Sequence, residues 1–393
     1  EVTSADFTVI SERSPNAALP YNPGVHYRGV LKGAAGVASI SFFDHEIMGV
    51  IGTEKDGNLV LGQLAGRGNE HQYIFYSDND MLVRSPFSCY APEVEVGNDD
   101  GQTSGLPSVD KCVRVFLEAD NELFIEKGSS VQNTVNYLLG MYNQVAALYS
   151  NEQINTVVSQ IFVWTTADIY TPTSSATVLD QFRAFRTQFN GDLAHLVGMG
   201  GNNLGGIAYV DVLCTPYNVA FSDIAASYSN VPTYSWTVEV VTHEMGHNLG
   251  SHHTQWCGWQ GGPIDNCVSA EGSCAPGPTP TGGGTIMSYC HLTGIGINFN
   301  NGFGPQPGNT IRTEVANATC LSGSCPVPGS CAAPLALTVT NLTGTSAVIG
   351  WESTANATAY ALRYRVVGSS TWTTINTPSN PYTLSGLVNN EEY

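Results

Sequence analysis

Hydrophobic and polar positions fall into three textures along the chain. Up to about residue 107, short apolar runs at 37–43, 47–52, 59–64 and 73–76 alternate with polar turns. That is the pattern of short strands, and Asp56-Gly57-Asn58 between two of them predicts a hairpin turn, because these residues tolerate positive φ. The stretch 98–105 is polar and Gly-rich, which predicts an exposed linker open to proteases.

The texture then changes. Residues 113–119 read as a mostly apolar strand. Val131, Val135, Leu138, Leu139, Tyr142, Val145, Ala146 and Leu148 recur mostly at three-to-four spacing, so a helix over 129–150 buries one face. Strands are predicted at 156–164, 194–199 and 206–210, and helices at 176–189 and 236–249. This alternation implies an α/β layer structure. Residues 254–332 are rich in Gly, Pro and Cys and show no long periodic segment. From about 335 the pattern becomes strands at 335–340, 346–351, 359–366 and 370–375 with Gly, Asn and Ser turns, as in a β-sandwich.

Composition narrows the function. The 393 residues carry 14 Lys and Arg against 33 Asp and Glu, a net charge of −19, with 42% hydrophobic and 12% charged residues. The apolar content is enough for real cores. The acidity argues against nucleic acid or an anionic membrane as partner, since both need basic patches. No apolar run approaches the 18 residues of a membrane span. Ten cysteines occur, eight of them between Cys214 and Cys331, and none forms a CxxC pair. That usage fits disulfides in an exported protein, so a secreted location is expected.

The chemistry concentrates in His243-Glu244-Met245-Gly246-His247-Asn248-Leu249-Gly250-Ser251-His252-His253. On a helix, His243 and His247 lie one turn apart on one face and can reach one ion. Glu244 is about 100° round from His243, out of line for the ion but within reach of a water on it. Gly250 can take the left-handed conformation that ends a helix, letting His253 return as a third ligand, with His252 as the neighbouring alternative. Three neutral imidazoles leave Zn²⁺ an open fourth position, which suits catalysis. A zinc-bound water has a pKa near about 7, and Glu244 is placed to take its proton and pass it to a leaving amine.

Downstream, Thr285-Ile286-Met287-Ser288-Tyr289 follows Gly282-Gly283-Gly284. With His243, Glu244, His247, Gly250 and His253, Met287 resembles the Met-turn of a metzincin. Over about residues 110–322 the chain resembles the adamalysin/reprolysin-like branch of those zinc endopeptidases; Trp164-Thr165-Thr166, Ala194-His195-Leu196, Gly206-Ile207-Ala208 and Cys214 add to the likeness. The resemblance implies a catalytic domain at 108–332 with a mixed twisted sheet and an active-site helix. Residues from Tyr27 to Leu64 resemble the propeptides of this branch, which implies a mostly β, inhibitory propeptide at 1–107; the tail, with Trp351, Tyr364 and Leu384-Ser385-Gly386-Leu387, resembles the start of a fibronectin type III domain, which implies an incomplete sandwich at 333–393. It offers Tyr289 as a transition-state stabiliser. Thr254 stands where adamalysins carry Asp, so another contact must anchor the Met-turn. Asp192 matches one ligand of the family's Ca²⁺ site, but Arg114 stands where a Glu is expected, which leaves Ca²⁺ doubtful. The implied disulfides are Cys214–Cys320, Cys257–Cys290, Cys267–Cys274 and Cys325–Cys331. Cys89 has two readings: a disulfide with Cys112, or a latency switch whose thiolate occupies the open zinc position.

The function expected is a secreted zinc endopeptidase made as a zymogen, acting as a monomer on proteins or peptides and inhibited by its own propeptide. The alternatives are a zinc amidase or peptidase on cell-wall substrates, and an inactive adhesive or binding protein on a protease scaffold.

Overall fold

The computed structural model describes residues 2–64, 72–81, 111–200, 204–224, 234–321, 323, 325, 337–351, 360–367, 369, 373–377 and 379–393. The chain divides into two compact units, Glu1–Pro326 and Val327–Tyr393.

In the first unit the strands β1 (Thr3–Ser11), β2 (Val25–Val30), β3 (Gly36–Phe42), β4 (Ile47–Thr53), β5 (Gly57–Gln63) and β6 (Tyr73–Ser77) precede β7 (Cys112–Ala119). Then come α1 (Asn121–Glu126), α2 (Val131–Asn151), β8 (Asn155–Val163), α3 (Ser175–Phe185), β9 (Leu193–Gly198), β10 (Gly206–Ala208), β11 (Val219–Asp223), α4 (Tyr234–Asn248) and α5 (Pro305–Asn317). Six strands form one sheet in the order β1-β8-β7-β9-β11-β10. All neighbours are parallel except β10, which runs antiparallel to β11 at the edge. Strands β2 to β6 make a separate antiparallel meander.

Two features add to the expected layout. Strand β1 is a sixth strand of the sheet formed by β7 to β11. Its Val2 carbonyl accepts from the Val158 amide at 2.8 Å. The non-periodic region also contains a 13-residue helix, α5. Its sequence PQPGNTIRTEVAN begins with poor helix formers and buries only Pro307, Gly308, Ile311 and Val315. Proline is tolerated at a helix start, where its missing N–H is not needed, so tertiary packing rather than propensity makes the helix.

The core of this unit lies around α2, which is buried at every position from Thr134 to Tyr149 except Asn136. A helix buried all round needs partners on more than one side. The six-stranded sheet covers one side, through β8, and the meander strands β2 to β4 cover another.

Four disulfides join described residues: Cys112–Cys325, Cys214–Cys320, Cys257–Cys274 and Cys267–Cys290. Four expected pairings are corrected. Cys112 is bonded to Cys325 rather than Cys89, and Cys325 is therefore not available to Cys331. Here the Lys111 ammonium, donating to the Ala316 and Ala318 carbonyls, draws the start of β7 to the chain leaving α5. Cys257 pairs with Cys274 and Cys267 with Cys290, instead of Cys257 with Cys290 and Cys267 with Cys274. The Cys257 amide donates to the Glu271 carbonyl at 3.0 Å, which lays 271–274 beside Cys257. Cys89, Cys331 and the 98–105 stretch lie outside the described residues.

The second unit holds β12 (Thr338–Thr340), β13 (Ser346–Gly350), β14 (Tyr360–Tyr364), β15 (Thr373–Thr377) and β16 (Tyr382–Ser385). Two small antiparallel sheets, β12-β13-β16 and β14-β15, share a core of Ala347, Ile349 and Leu384 with Trp351, Leu362 and Ile375. No described helix is long and apolar enough to cross a membrane.

Candidate active site

Helix α4 brings His243 and His247 to one point because their four-residue spacing is one helical turn. Its other positions Val238, Val240, Val241 and Met245 are fully buried and fix its rotation. The helix stops where Gly250 adopts φ +95°. There the Gly250 amide donates to the His247 carbonyl at 2.9 Å and the Ser251 amide to the Gly246 carbonyl at 3.0 Å. The chain then doubles back and delivers His253. The Nε2 atom of His247 lies 3.2 Å from that of His243 and 3.0 Å from that of His253. His252 is not in this group; its ring stacks on Trp256 with centroids 3.7 Å apart.

Every one of the three rings has its other nitrogen engaged. His243 Nδ1 donates to the Ile286 carbonyl at 2.8 Å, His247 Nδ1 to the Ser251 carbonyl at 2.7 Å, and His253 Nδ1 to Glu271 Oε1 at 2.6 Å. The acceptors assign the tautomer: each Nδ1 carries the proton, so each Nε2 presents a lone pair. Three lone pairs within 4.8 Å of one another repel, and a cation between them would turn that repulsion into ligation. Burial holds His243 and His247 well below the usual histidine range, with His253 adding to it, so both rings are neutral and able to serve as ligands. Three imidazoles fit Zn²⁺.

The Met-turn lies directly beneath. Met287 is fully buried, and its sulfur packs so closely on Gly246 that a Cβ there would meet it at 2.7 Å. The anchoring role left open by Thr254 falls to its own backbone and hydroxyl. The Thr254 amide donates to the Met287 carbonyl at 3.1 Å and Oγ1 to the same carbonyl at 3.4 Å. Tyr289 places its hydroxyl 3.2 Å from His253 Nε2, and its ring stacks on His243. Glu244 is fully buried beside β10, where a Cβ at Gly206 would fall on its carboxylate. Elsewhere, Asp192 accepts the Arg114 amide at 2.8 Å, and the Arg114 guanidinium turns to Asp6 and Asn190.

A family model described as metallo-peptidase family M12 (Reprolysin_5) matches residues 109–298, a span that includes all three histidines, Glu244, Met287 and Tyr289. Residues 109–298 are thus similar to the M12 metallopeptidases. The chain is also similar to curated proteins. The human disintegrin and metalloproteinase domain-containing protein 9 is 24% identical over 278 residues, covering 63% of this chain and 33% of that protein. A zinc metalloproteinase-disintegrin-like protein of Cerberus rynchops is 23% identical over 205 residues, 47% of this chain and 32% of that one. The chain thus spans about a third of the length of these relatives. Among solved structures, metalloproteinase-II from Bacteroides fragilis aligns with 63% of this chain and 75% of that chain, at 9% identity and a TM-score of 0.37.

Sequence reading missed two residues of the candidate site. Glu271 lies 18 positions after His253 in a loop without periodicity, and nothing in its neighbours points to the histidine; the Cys257–Cys274 disulfide brings it there. Gly206 read as the start of a strand and as part of the family likeness, not as a residue of the site. A carboxylate behind a metal-ligating histidine raises its basicity, and losing such a partner typically costs about 10–100-fold in metal affinity. Glu271→Gln is therefore expected to weaken zinc binding by about that factor, read by competition with a chromogenic chelator. An unchanged affinity would show that the 2.6 Å contact does not tune the ligand.

Proposed function

We propose that this chain is a secreted zinc endopeptidase, made as a zymogen, that hydrolyses peptide bonds of protein substrates. The observation that carries it is the convergence of three Nε2 lone pairs beside a buried carboxylate. His243, His247 and His253 would hold the metal. Zn²⁺, when bound, supplies a Lewis acid that acidifies water and polarises a carbonyl. Glu244 accepts the proton of the attacking water and returns it to the departing amine nitrogen. Its burial shields it from bulk water, and its place off the histidine face keeps it from competing as a ligand. The Tyr289 hydroxyl is on the histidine side of the site and would donate to the oxyanion that develops on the substrate. Four disulfides support an oxidising, extracellular location, and nothing in the reading requires a second copy of the chain. The test is hydrolysis of casein by the activated chain. Activity is expected to vanish with a chelator and return with Zn²⁺; hydrolysis that survives complete metal removal would sink the proposal, and metal-dependent cleavage of cell-wall amides but not of casein would replace it.

Latency is assigned to the region up to about residue 107, with Cys89 as the zinc-directed thiol. What supports this is that Cys112, the alternative partner, is bonded to Cys325. In the metal-loaded precursor Cys89 is expected to resist alkylation until zinc is withdrawn. Labelling that is equally fast before and after chelation would overturn the switch.

A further inference from the structure

We propose that residues 2–81 are a permanent part of the enzyme, which remain bound to residues 111–326 as a second chain after any cut between 82 and 110. A detachable inhibitor covers a cleft and leaves a finished surface behind it. These residues instead complete the structure of the domain they precede.

Three contacts, on three different elements, carry the inference. The first is the sheet. Strand β1 pairs with β8, the sheet edge opposite β10 and away from Glu244. The pairing is reinforced by side chains: Gln160 donates to Thr8 at 2.8 Å, and Glu12 accepts from the Thr165 amide at 2.9 Å and from the Thr165 and Thr166 hydroxyls at 2.7 and 2.9 Å. Loss of β1 would leave β8 as an open, apolar edge, which is a template for aggregation.

The second is α2. Gly140, Asn143, Gln144 and Ala147 lie at helical spacing on one face, and all four are buried. Met48 packs its sulfur on Gly140 so tightly that a Cβ there would meet it at 2.5 Å. Asn143, fully buried, receives Arg28 Nε at 2.9 Å and donates to Ser41 Oγ at 3.1 Å. Met48 and Val60 are fully buried, and both belong to the same continuous core as Leu138, Tyr142 and Val145. This is a domain core shared between two segments, the character of obligate rather than transient interfaces.

The third is the loop beneath the metal site. Asn58 is 1% exposed and acts as a backbone mimic. Its Oδ1 accepts from the Phe299 amide and its Nδ2 donates to the Ile297 carbonyl, both at 2.8 Å. Asn298 answers by donating to the Thr53 carbonyl at 2.9 Å. The Asn298 amide in turn donates to Gly284, two residues before the carbonyl that holds His243. The N-terminal segment therefore braces the Met-turn from behind. Its retention leaves latency to residues nearer the cut.

The inference rests on the zymogen reading only for the existence of a cut, and the experiment makes the cut itself. Residues 98–105 are replaced with the recognition sequence of a site-specific protease, the full chain is folded, and it is then cleaved. The two pieces are expected to co-elute from a size-exclusion column at the mass of the uncut chain, to separate only in denaturant, and to melt as the uncut chain does. Hydrogen exchange of the Val158 amide, held by Val2, is expected to stay as slow as before cleavage. A 106–393 fragment that elutes alone and melts at the temperature of the uncut chain would overturn the proposal, as would loss of protection at Val158. Neither readout uses peptidase activity, so an inactive chain would unseat the peptidase reading and leave this one in place.

Discussion

Glu244→Ala is expected to lower kcat on a protein substrate by about 10³- to 10⁴-fold, the upper range for a general acid–base group. That corresponds to roughly 4–5.5 kcal/mol of transition-state stabilisation. The variant should retain its zinc, because the three Nε2 atoms are positioned by Ile286, Ser251 and Glu271 and not by Glu244. It should also fold, since the substitution removes a carboxylate from a fully buried position and leaves the apolar face of α4 intact. The measurement is single-turnover cleavage together with metal content and a thermal melt. Full activity in a zinc-loaded, folded variant would remove Glu244 from the mechanism.

The second large effect is expected at Gly206, which the strand pattern does not mark as part of the site. Gly206 pairs with Ser222 on the antiparallel edge strand β10. Its backbone does not lie in the left-handed region, so alanine costs nothing in φ there. What alanine costs is space: its Cβ would fall on the Glu244 carboxylate, and that group or the strand must shift. A misplacement of about 1 Å can cost 10²-fold in rate, so Gly206→Ala is expected to lower kcat by about that factor. Zinc content and the circular dichroism spectrum should be unchanged. A double-mutant cycle makes the assignment specific. In the Glu244→Ala background, Gly206→Ala should cost almost nothing further, because the group it displaces is gone. An undiminished loss in that background would mean that Gly206 serves substrate binding and not the carboxylate.

The HExxHxxGxxH spacing exposes the metal ligands in the sequence because it is local. Four residues make a helical turn, a glycine allows the chain to reverse, and no long-range information is needed to see that His243, His247 and His253 can meet. The preference for His253 over His252 follows from the same geometry, and the structure places His253 in the group. Met287 is legible through its motif. Most strands of the α/β region are legible too, because they are short apolar runs bounded by turns.

Pairings between distant segments are not legible. The ten cysteines state that the 254–332 region needs fastening, yet four of the expected bonds differ. Which sulfurs meet is decided by backbone contacts such as Cys257 with Glu271 and Lys111 with the end of α5. Glu271 and Gly206 acquire their roles only through such closures. Helix α5 is hidden because its residues favour turns and only packing makes them helical.

The sequence by itself exposed the candidate chemistry: three histidines and a glutamate in a local pattern that can gather around one ion. The tertiary structure decided which segments pack together. The strands up to residue 81 are legible, but their packing partners are not, because alternation shows which face of a strand is buried, never what buries it. That the burying surface is α2, and that β1 enters the sheet of the peptidase domain, depends on contacts across more than a hundred residues.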